Sequence, residues 1–437
     1  MKAVMFGDKG ALDEETLEIF QKNGTAHILA VSGLHIGIIY GFLLKLWPWK
    51  RGWPFFGLMA AFFLCYAVMA DFSPSVVRAV IMVLLNIIAG IKCLKYDLSN
   101  AAFAVAIGVL IHNPYMLFNA GFQMSFLAVL TMNIVMPYIK GIYSGAFMAG
   151  IAVQIGLGPF ILYNFNYLSL LAVIINVPVV ALAGIIVPAG LVCMVFPVCC
   201  PLLKYLCSLM TQLNELVQID GITTFRCCSP PLWFMAFYYL VLLPLVTEEG
   251  RLAVMRAGKT ISARLSRIGK VCAVAAAVAV GFAAMAGDCF DDCNLTFADV
   301  GQGDCVCVRS FGVLPGGDRA YLFDGGGSDS YNVGKKTLLP YLLKNGIGRV
   351  DGAFVTHLHT DHYRGICQLA AEGMIEKLYV YEGNRPQLER IMQETGMKEE
   401  DIVFLYGGQE VTLGTGGLLS KSTIKVQVLS PELRTQS

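Results

Sequence analysis

The sequence predicts a polytopic α-helical membrane domain followed by a smaller α/β domain, and three observations carry this prediction. Hydrophobic residues make up 56% of the 437 residues and charged residues only 14%, whereas a typical soluble domain is about 25% charged. The stretches 98–139 and 141–203 contain no Asp, Glu, Lys or Arg, and soluble cores do not produce runs of that length. Residues 288–437 instead hold 34 of the 63 charged side chains, which indicates a polar domain after an apolar one.

The overall charge and the cysteines exclude two simple classes of protein. A net charge of +1 does not provide the strongly basic face of an electrostatic nucleic-acid binder. Eight of the 14 cysteines lie in or beside apolar stretches, where cysteine serves as a small hydrophobic residue rather than as part of a disulfide scaffold. Cys289 and Cys293 follow the last apolar segment, and they could either pair in an oxidising exterior or remain free thiols.

About ten transmembrane helices are predicted in the first 287 residues, because a bilayer crossing takes about 20 apolar residues. Backbone amides in hydrocarbon must be satisfied within their own segment, so helices are the expected form. The predicted spans are 30–47, 54–70, 75–91, 98–111, 117–139, 142–165, 168–187, 188–206, 232–246 and 271–286. Kinks or breaks, which membrane helices tolerate where they line a cavity, are predicted at Gly156, Pro159, Pro178, Pro188, Pro197 and Pro201.

The distribution of Lys and Arg among the loops predicts the orientation. The linker 248–270 carries six Lys and Arg against two Glu, and such basic loops face the cytoplasm. The last span, 271–287, then places residues 288–437 outside the cytoplasm, on the far side of a transmembrane domain that covers residues 28–247. The same reasoning places residues 1–27 outside, and no signal peptide precedes them. We therefore expect them to be an extracytoplasmic remnant of a missing upstream region.

Ionisable side chains inside apolar segments are costly and mark functional positions by default. Arg78 lies three residues into the span 75–91, and His27 and His35 bracket the segment His-Ile-Leu-Ala-Val-Ser-Gly-Leu-His. Structural explanations remain open for all three. Arg78 can snorkel to the interface or pair with Asp71, and neutral histidines can hydrogen-bond to neighbours in their own helix.

Four stretches of the apolar region carry a resemblance to a known family, namely His27–His35, Ser75–Met82, Asn119–Phe126 and Leu170–Pro178. Together, and in this order, they resemble the competence domain of the ComEC family of DNA-internalisation channels. The resemblance covers about residues 1–250. It implies a multi-pass protein of the cytoplasmic membrane through which one strand of transforming DNA enters the cell.

The resemblance also implies partners and a path. Besides DNA and the lipid bilayer, the partners would be DNA-receptor proteins and cytoplasmic motor proteins. A second copy of the chain is a further expected partner, because a pore made by one narrow bundle can require a dimer. A phosphodiester strand needs a wet path with some positive potential, because each phosphate carries a charge. The residues expected to form it are His27, Ser32, Gly33, His35, Arg78 and Gln123.

From Cys293 onward, the pattern changes to short alternating runs bounded by Gly-rich turns, which predict strands. Residues 295–300, 305–309 and 321–324 form such runs. Residues 335–345 predict a short helix, and residues 350–356 predict a buried strand. This order of elements favours a layered α/β domain.

Metal-ligand side chains are concentrated directly after that last strand, in Thr356-His-Leu-His-Thr-Asp-His362. Three imidazoles and one carboxylate within six residues predict a divalent-metal site, with zinc or manganese as the ion. His357 and His359 can point in the same direction, while Asp361 and His362 can reach a second position nearby. A polar loop without metal is the alternative.

The motif His-x-His-x-Asp-His is similar to the signature of the metallo-β-lactamase fold, which implies an αββα architecture. The likeness extends to 300–304, 322–326 and 344–351, and this combination resembles the extracytoplasmic hydrolase domain of the ComEC family. It implies a nuclease that engages duplex DNA and degrades the strand that is not imported.

The same resemblance implies roles for individual side chains. His357 and His359 would hold one metal ion, and Asp361 and His362 the other, with Asp361 also the catalytic carboxylate. Asp304 and Asp324 are expected to support these ligands or the local structure. For Asp304, a purely structural turn carboxylate is the alternative.

The chain departs from this fold in one respect, because all six histidines lie at or before position 362. Later loops therefore supply no further imidazole. We expect a partial metallo-β-lactamase-like domain, incomplete at its C-terminal end, that holds one or two ions weakly or none, which leaves its hydrolase or nuclease activity undecided.

Two other functions stay open at this point. One is a membrane-tethered metallohydrolase that acts on a non-nucleic envelope substrate. The other is a transporter of another polar solute with a vestigial hydrolase domain. About ten spans with Gly and Pro breaks exceed what a membrane anchor needs, and this favours DNA uptake.

Overall fold

The computed structural model describes residues 2–7, 10, 12–47, 52–139, 145–169, 171–217, 224–246, 256, 293–310, 318–328, 330–413 and 424–429. The chain divides into two compact units, one of residues 1–226 and 235–253 and the other of residues 227–234 and 254–437. The predicted last span, all of the basic linker except residue 256, and Cys289 lie outside the described residues.

The N-terminal part of the chain is mostly helical. Its helices are α1 (Lys2–Phe6), α2 (Glu14–Lys22), α3 (Gly33–Leu46), α4 (Trp53–Met69), α5 (Pro74–Ile91), α6 (Leu98–His112), α7 (Ala120–Ile139), α8 (Gly145–Phe165), α9 (Ala172–Val195), α10 (Cys200–Val217) and α11 (Leu232–Val246). A small antiparallel pair is formed by β1 (Tyr167–Ser169) and β2 (Thr224–Arg226).

Three helices among the described residues are long and apolar enough to cross a membrane, namely 74–91, 147–165 and 172–195. Shorter apolar helices lie at 33–46, 53–69, 98–112, 120–134 and 232–242. These apolar helices indicate a membrane protein, as the composition predicts. The predicted number of about ten spans is not confirmed.

One predicted boundary between spans differs from the structure. The sequence predicts a break between 187 and 188, but α9 continues through both Pro178 and Pro188. A proline inside a helix removes one backbone hydrogen bond and costs about 3 kcal/mol. Ile186 and Val187, next to Pro188, are completely buried, so packing on the bundle offsets that cost. The chain breaks instead at the turn Pro197–Cys199.

The N-terminal segment belongs to the core of the first unit. Met5, Phe20 and Ile28 are at most 1% exposed and lie in the same apolar cluster as residues of α3, α4, α5 and α9. The hydroxyl of Tyr66 in α4 donates a hydrogen bond of 2.7 Å to the carbonyl oxygen of Met5. Residues predicted to be a lead-in are therefore packed as part of the bundle.

A buried network of neutral polar side chains joins the turn after α2 to α10. Thr25 Oγ1 donates to Asn214 Oδ1 at 2.7 Å, and Asn23 Nδ2 donates to the carbonyl oxygen of Asn214 at 2.7 Å. Asn214 Nδ2 in turn donates to the carbonyl oxygen of Met210 at 2.9 Å. Since each of these amides finds partners, their burial carries little desolvation cost.

The second unit contains a six-stranded mixed sheet in the order β3-β4-β5-β6-β7-β8. Its strands are β3 (Cys293–Phe297), β4 (Val306–Ser310), β5 (Arg319–Phe323), β6 (Gly352–Phe354), β7 (Leu378–Tyr381) and β8 (Ile402–Leu405). The strands from β3 to β5 are antiparallel neighbours, and those from β5 to β8 are parallel. A separate hairpin is formed by β9 (Glu410–Leu413) and β10 (Ile424–Gln427).

The two faces of this sheet carry different layers. The helices are α12 (Leu339–Lys344), α13 (Thr360–Ala371) and α14 (Leu388–Thr395), and their apolar residues form one cluster with Leu322, Ala353 and Leu378. Tyr321 and Phe354 belong to a second cluster, which includes residues of the β9–β10 hairpin. Strand residues alternate between the two clusters because successive side chains point to opposite faces. The predicted layered α/β domain is confirmed at this level.

Candidate metal centre

The candidate metal centre lies where β5 and β6 end. These strands are parallel neighbours, with Leu322 opposite Ala353, so their carboxyl ends share one edge of the sheet. Asp324 directly follows β5, and residues 355–359 connect β6 to the start of α13. The topology therefore brings together two loops that are about 30 residues apart in the sequence.

Three of the four predicted ligands converge in this loop. His357, Asp361 and His362 each offer one ligand atom, and these atoms all lie within 4.8 Å of one another. His362 Nε2 is 3.6 Å from Asp361 Oδ2. Two imidazoles and one carboxylate are a common donor set for zinc. No other group of three His, Cys, Asp or Glu side chains with this spacing occurs in the described part of the chain.

His359 is next to this group but is not one of its members. It is the N-cap residue of α13, and its ring centroid is 4.6 Å from that of His357 in an edge-to-face arrangement. The structure thus groups His357 with Asp361 and His362, whereas the resemblance pairs His357 with His359.

Asp324 holds the metal loop in place through three hydrogen bonds. Its carboxylate is 4% exposed and accepts from the backbone N–H of Thr356 at 2.8 Å, from Thr356 Oγ1 at 2.7 Å and from His362 Nδ1 at 2.8 Å. Because Nδ1 of His362 is engaged, Nε2 is the nitrogen left for a ligand. Asp324 has a φ of +55°, which few residues other than glycine adopt outside functional sites.

Thr356 extends the same arrangement to His357. Its hydroxyl donates to Asp324 and lies 3.0 Å from His357 Nδ1. Since the hydroxyl proton is used on the carboxylate, the hydroxyl oxygen accepts from Nδ1–H of His357. The hydrogen-bond network therefore assigns Nε2 as the free nitrogen of His357 as well.

Two glycine-rich turns pack directly on the start of α13. Gly303 has a φ of +89°, and a Cβ at this position would overlap the carbonyl oxygen of Asp361. A Cβ at Gly365 would likewise overlap the carbonyl oxygen of Gly325. The side chain of Asp304 is exposed, while its carbonyl oxygen accepts a 3.0 Å bond from the N–H of Gly326 and joins the two turns. These close backbone approaches fix the position of Asp361, and spacing in the sequence alone did not indicate them.

A cleft of about 640 Å³ opens beside Asp361. Its lining residues are Gln302, Gly303, Gly327, Ser328, Ser330, Thr360 and Asp361. Among the described residues, the lining contains hydroxyls, an amide and the carboxylate of Asp361, without Lys or Arg. The hydroxyls and the amide can donate hydrogen bonds to a negatively charged ligand, whereas the carboxylate repels such a ligand unless a cation compensates its charge.

Two buried cysteines near the sheet, Cys305 and Cys307, are not members of the group of side chains that converges in the metal loop. Burial raises the pKa of Cys305 to about 12 and the pKa of Cys307 to about 11.

Several channel candidates lie at adjoining helix starts in the first unit. Ser32 and His35 cap the start of α3 through their mutual contacts. His35 Nδ1 lies 3.2 Å from the backbone nitrogen of Ser32 and 3.0 Å from its hydroxyl oxygen. Ser75 at the start of α5 donates a 2.8 Å hydrogen bond to the carbonyl oxygen of Val31. His35 is buried, whereas His27 is exposed, with its Nδ1 3.1 Å from the carbonyl oxygen of Gly24. Gly33 begins α3 and faces α5, because a Cβ added there would lie 3.7 Å from the Cβ of Ala79.

Arg78 fits neither structural explanation offered by the sequence. It is only 4% exposed, so its side chain does not snorkel to an interface, and it forms no ion pair with the exposed Asp71. Its guanidinium carbon lies 4.9 Å from the centroid of the Phe126 ring in α7. Gln123, one turn before that ring, donates a 2.8 Å hydrogen bond to the carbonyl oxygen of Leu117.

Comparison with known proteins identifies both units. A family model described as Competence protein matches residues 4–252, and one described as Metallo-beta-lactamase superfamily matches residues 298–423. No solved structure matches the chain.

Three curated proteins are similar to the chain. ComE operon protein 3 of Bacillus subtilis is 25% identical over 467 residues, which cover 99% of this chain and 56% of that protein. An uncharacterized protein of Aquifex aeolicus is 29% identical over 176 residues, 40% of this chain and 42% of that protein. Recombination protein 2 of Haemophilus influenzae is 38% identical over 87 residues, 18% of this chain and 11% of that protein. The chain spans about half the length of the first of these relatives.

Proposed function

Because this chain belongs to the competence protein family, whose model matches residues 4–252, we propose that it takes part in DNA uptake at the cytoplasmic membrane. Its helical unit passes a single DNA strand into the cell, and its second unit hydrolyses the other strand outside. One observation carries the proposal: a competence-type helical region is joined in one chain to a metallo-β-lactamase domain in which His357, Asp361 and His362 converge. ComE operon protein 3 matches along 99% of the chain and so across both regions.

The metallo-β-lactamase domain implies divalent metal binding, and the donor chemistry of this chain fits such an ion. Two imidazoles and a carboxylate converge, and hydrogen bonds to Asp324 and Thr356 leave Nε2 of both imidazoles free. His357, Asp361 and His362 would hold zinc or manganese, with His359 adjoining. When bound, the ion would polarise a phosphoryl oxygen.

The remaining groups of the second unit bind and orient the substrate. The cleft lined by Gln302, Ser328, Ser330 and Thr360 offers hydrogen bonds to a phosphodiester backbone. The side chain of Asp361 is 51% exposed beside this cleft, so it is reachable by a substrate. Because the described lining includes the Asp361 carboxylate and no Lys or Arg, the compensation of phosphate charge falls to the metal site.

The helical unit supplies the passage. The residues proposed to line it are His27, Ser32, Gly33, His35, Arg78 and Gln123. The hydrolase domain is proposed to lie on the extracytoplasmic side, which is supported by the basic composition of the linker 248–270 before the last predicted span. DNA-receptor proteins, motor proteins and a second copy of the chain are the proposed partners.

Import of fluorescent duplex DNA into the native host tests the proposal. Cells with the gene deleted should bind DNA at their surface but fail to accumulate it in a nuclease-protected form, and the restored gene should recover accumulation. Unchanged import in the deleted strain would refute the proposal and favour hydrolysis of an envelope molecule or transport of another solute.

A double substitution of His357 and His362 by Ala separates the two units. It should abolish metal-dependent cleavage of DNA by the purified full chain. The matched control is His112→Ala, because His112 is an exposed histidine at the end of α6, in the first unit. Equal cleavage by the double variant and the control would show that the metal loop is not the hydrolytic site.

A further inference from the structure

The fold described above does not explain why Arg78 is buried in its present surroundings. Its side chain is 96% shielded from solvent, as its 4% exposure indicates, and it lies between α5 and α7. Among the described residues it forms no ion pair and no hydrogen bond, and only the Phe126 ring faces its guanidinium, at 4.9 Å. An arginine carries five N–H donors, and in this structure none of them has a described acceptor.

An aromatic ring does not compensate for this burial. Removing a guanidinium from water costs considerably more free energy than a cation–π contact returns. Buried charges are normally paired with an opposite charge or satisfied by several hydrogen bonds. The described residues supply neither, so they do not by themselves account for the burial of Arg78.

The helix starts around Arg78 add to its positive potential. Arg78 lies in the second turn of α5, whose N-terminus carries partial positive charge from unsatisfied N–H groups. The start of α3 adjoins it through the hydrogen bond from Ser75 to Val31. No Asp or Glu lies in the first turn of either helix, although acidic residues are the stabilising choice there. Ser73 Oγ, at the N-cap of α5, is also buried and has no hydrogen-bond partner in the described part of the chain.

We propose that Arg78, with the adjoining starts of α3 and α5, forms a binding site for one phosphodiester group. The planar guanidinium donates two parallel hydrogen bonds to phosphate oxygens, which is the geometry that arginine provides and lysine does not. As the guanidinium turns to the phosphate, the face of the Phe126 ring becomes free for a nucleobase. The assignment to a DNA strand rests on the proposed function, whereas a phospholipid head group would present the same chemistry.

Binding of a short fluorescent single-stranded oligonucleotide to the purified full chain in detergent tests the site. Arg78→Met should weaken binding at least about tenfold, as expected for the loss of one charged hydrogen-bonded pair. It should also reduce the slope of log affinity against log salt by about 0.7, the value for one phosphate contact on a single strand. Arg78→Lys keeps the charge and should restore the slope but not the full affinity.

Two controls make the result specific. Lys92→Met removes an exposed cation at the other end of the same helix and should change the affinity less than about twofold. An oligonucleotide with an uncharged methylphosphonate backbone should bind the native protein and Arg78→Met equally. Size-exclusion chromatography checks that each variant remains folded.

The phosphodiester can belong to a DNA strand or to a phospholipid head group. Measuring the anionic phospholipid that co-purifies with each variant distinguishes these two sources. If Arg78→Met loses bound phospholipid while oligonucleotide binding is unchanged, the site stands with a lipid as its ligand, whatever the outcome of the import experiment. If the variant alters neither oligonucleotide affinity nor bound phospholipid, the site is refuted, even where import of DNA is confirmed.

Discussion

Two buried charged side chains, one in each unit, are equally shielded from water but differ in the partners that surround them. Asp324 and Arg78 are both 4% exposed. The carboxylate of Asp324 accepts three hydrogen bonds from Thr356 and His362, whereas the guanidinium of Arg78 faces one aromatic ring. The metal loop is therefore organised by its own side chains before any ligand arrives. The site in the helical unit depends on a group that the described residues do not supply.

The largest expected effect comes from removing Asp324. Asp324→Ala leaves the donors of Thr356 and His362 unpaired and should lower the local free energy of opening by about 3 kcal/mol. Hydrogen exchange of residues 352–371 in the full chain measures this. The control Asp361→Ala removes a carboxylate whose side chain is 51% exposed and should change protection by less than about 0.5 kcal/mol. Equal loss in both variants would mean that Asp324 does not organise the loop.

Adding a methyl group at Gly303 tests whether close backbone packing holds the metal loop in position. Gly303→Ala must displace the carbonyl oxygen of Asp361, at a cost of about 2 kcal/mol, and we expect zinc affinity to fall about tenfold or more. Isothermal titration calorimetry measures this. Gly301 also has a positive φ, but no atom lies within 4 Å of its added Cβ, so Gly301→Ala should cost only about 1 kcal/mol of backbone strain. If both variants bind zinc alike, the close approach at Gly303 is unimportant for the site.

The buried amides that join the turn after α2 to α10 in the helical unit are an intermediate case between Asp324 and Arg78, because they are uncharged and all have hydrogen-bond partners. Asn214→Ala removes the acceptor of Thr25 and should lower the stability of the first unit by about 1–2 kcal/mol. The control Gln212→Ala lies on the exposed side of α10 and should have little effect. Thermal unfolding of the full chain in detergent measures the difference. Indistinguishable midpoints would show that the network contributes nothing to stability.

Arg78→Met should have the smallest effect on stability, and it should stabilise the protein rather than destabilise it. The substitution replaces an unpaired buried charge with an apolar side chain of similar length. The thermal midpoint should therefore stay the same or rise, and the free energy of unfolding should increase by at most about 1 kcal/mol. Lys92→Met serves again as the control. A loss of about 2 kcal/mol or more would reveal a protein partner for the guanidinium and would remove the contrast with Asp324.

The sequence located the elements of the second unit closely, because each alternating run ends at a glycine-rich turn. The run 305–309 became β4 at 306–310, and the predicted helix 335–345 corresponds to helical residues 334–344. The long apolar runs with few or no charged residues also predicted the apolar helices of the first unit. It failed at Pro188, because a local rule for proline took no account of the packing that holds α9 together.

The metal loop shows what spacing alone could not predict. Alternation suggested that His357 and His359 face the same way, as they would in a strand. The strand ends at Phe354 and α13 begins at Thr360, so His359 becomes a helix cap while the first turn carries Asp361 and His362 back toward His357. The local sequence thus identified the candidate ligands, but the position of the helix start decides which of them converge. The support from Asp324 required a parallel pairing of β5 with β6, which no local pattern specifies.

The hydrogen bond from Asn23 to Asn214 has a consequence for biosynthesis. These residues are 191 positions apart, so at a synthesis rate of about 5–20 residues per second the amino-terminal turn waits roughly 10–40 s for its partner. During this interval its amides have to be solvated by water, by lipid head groups or by an insertion factor. Ribosome stalling between these two positions should therefore leave the newborn amino-terminal helices accessible to protease, and release should protect them.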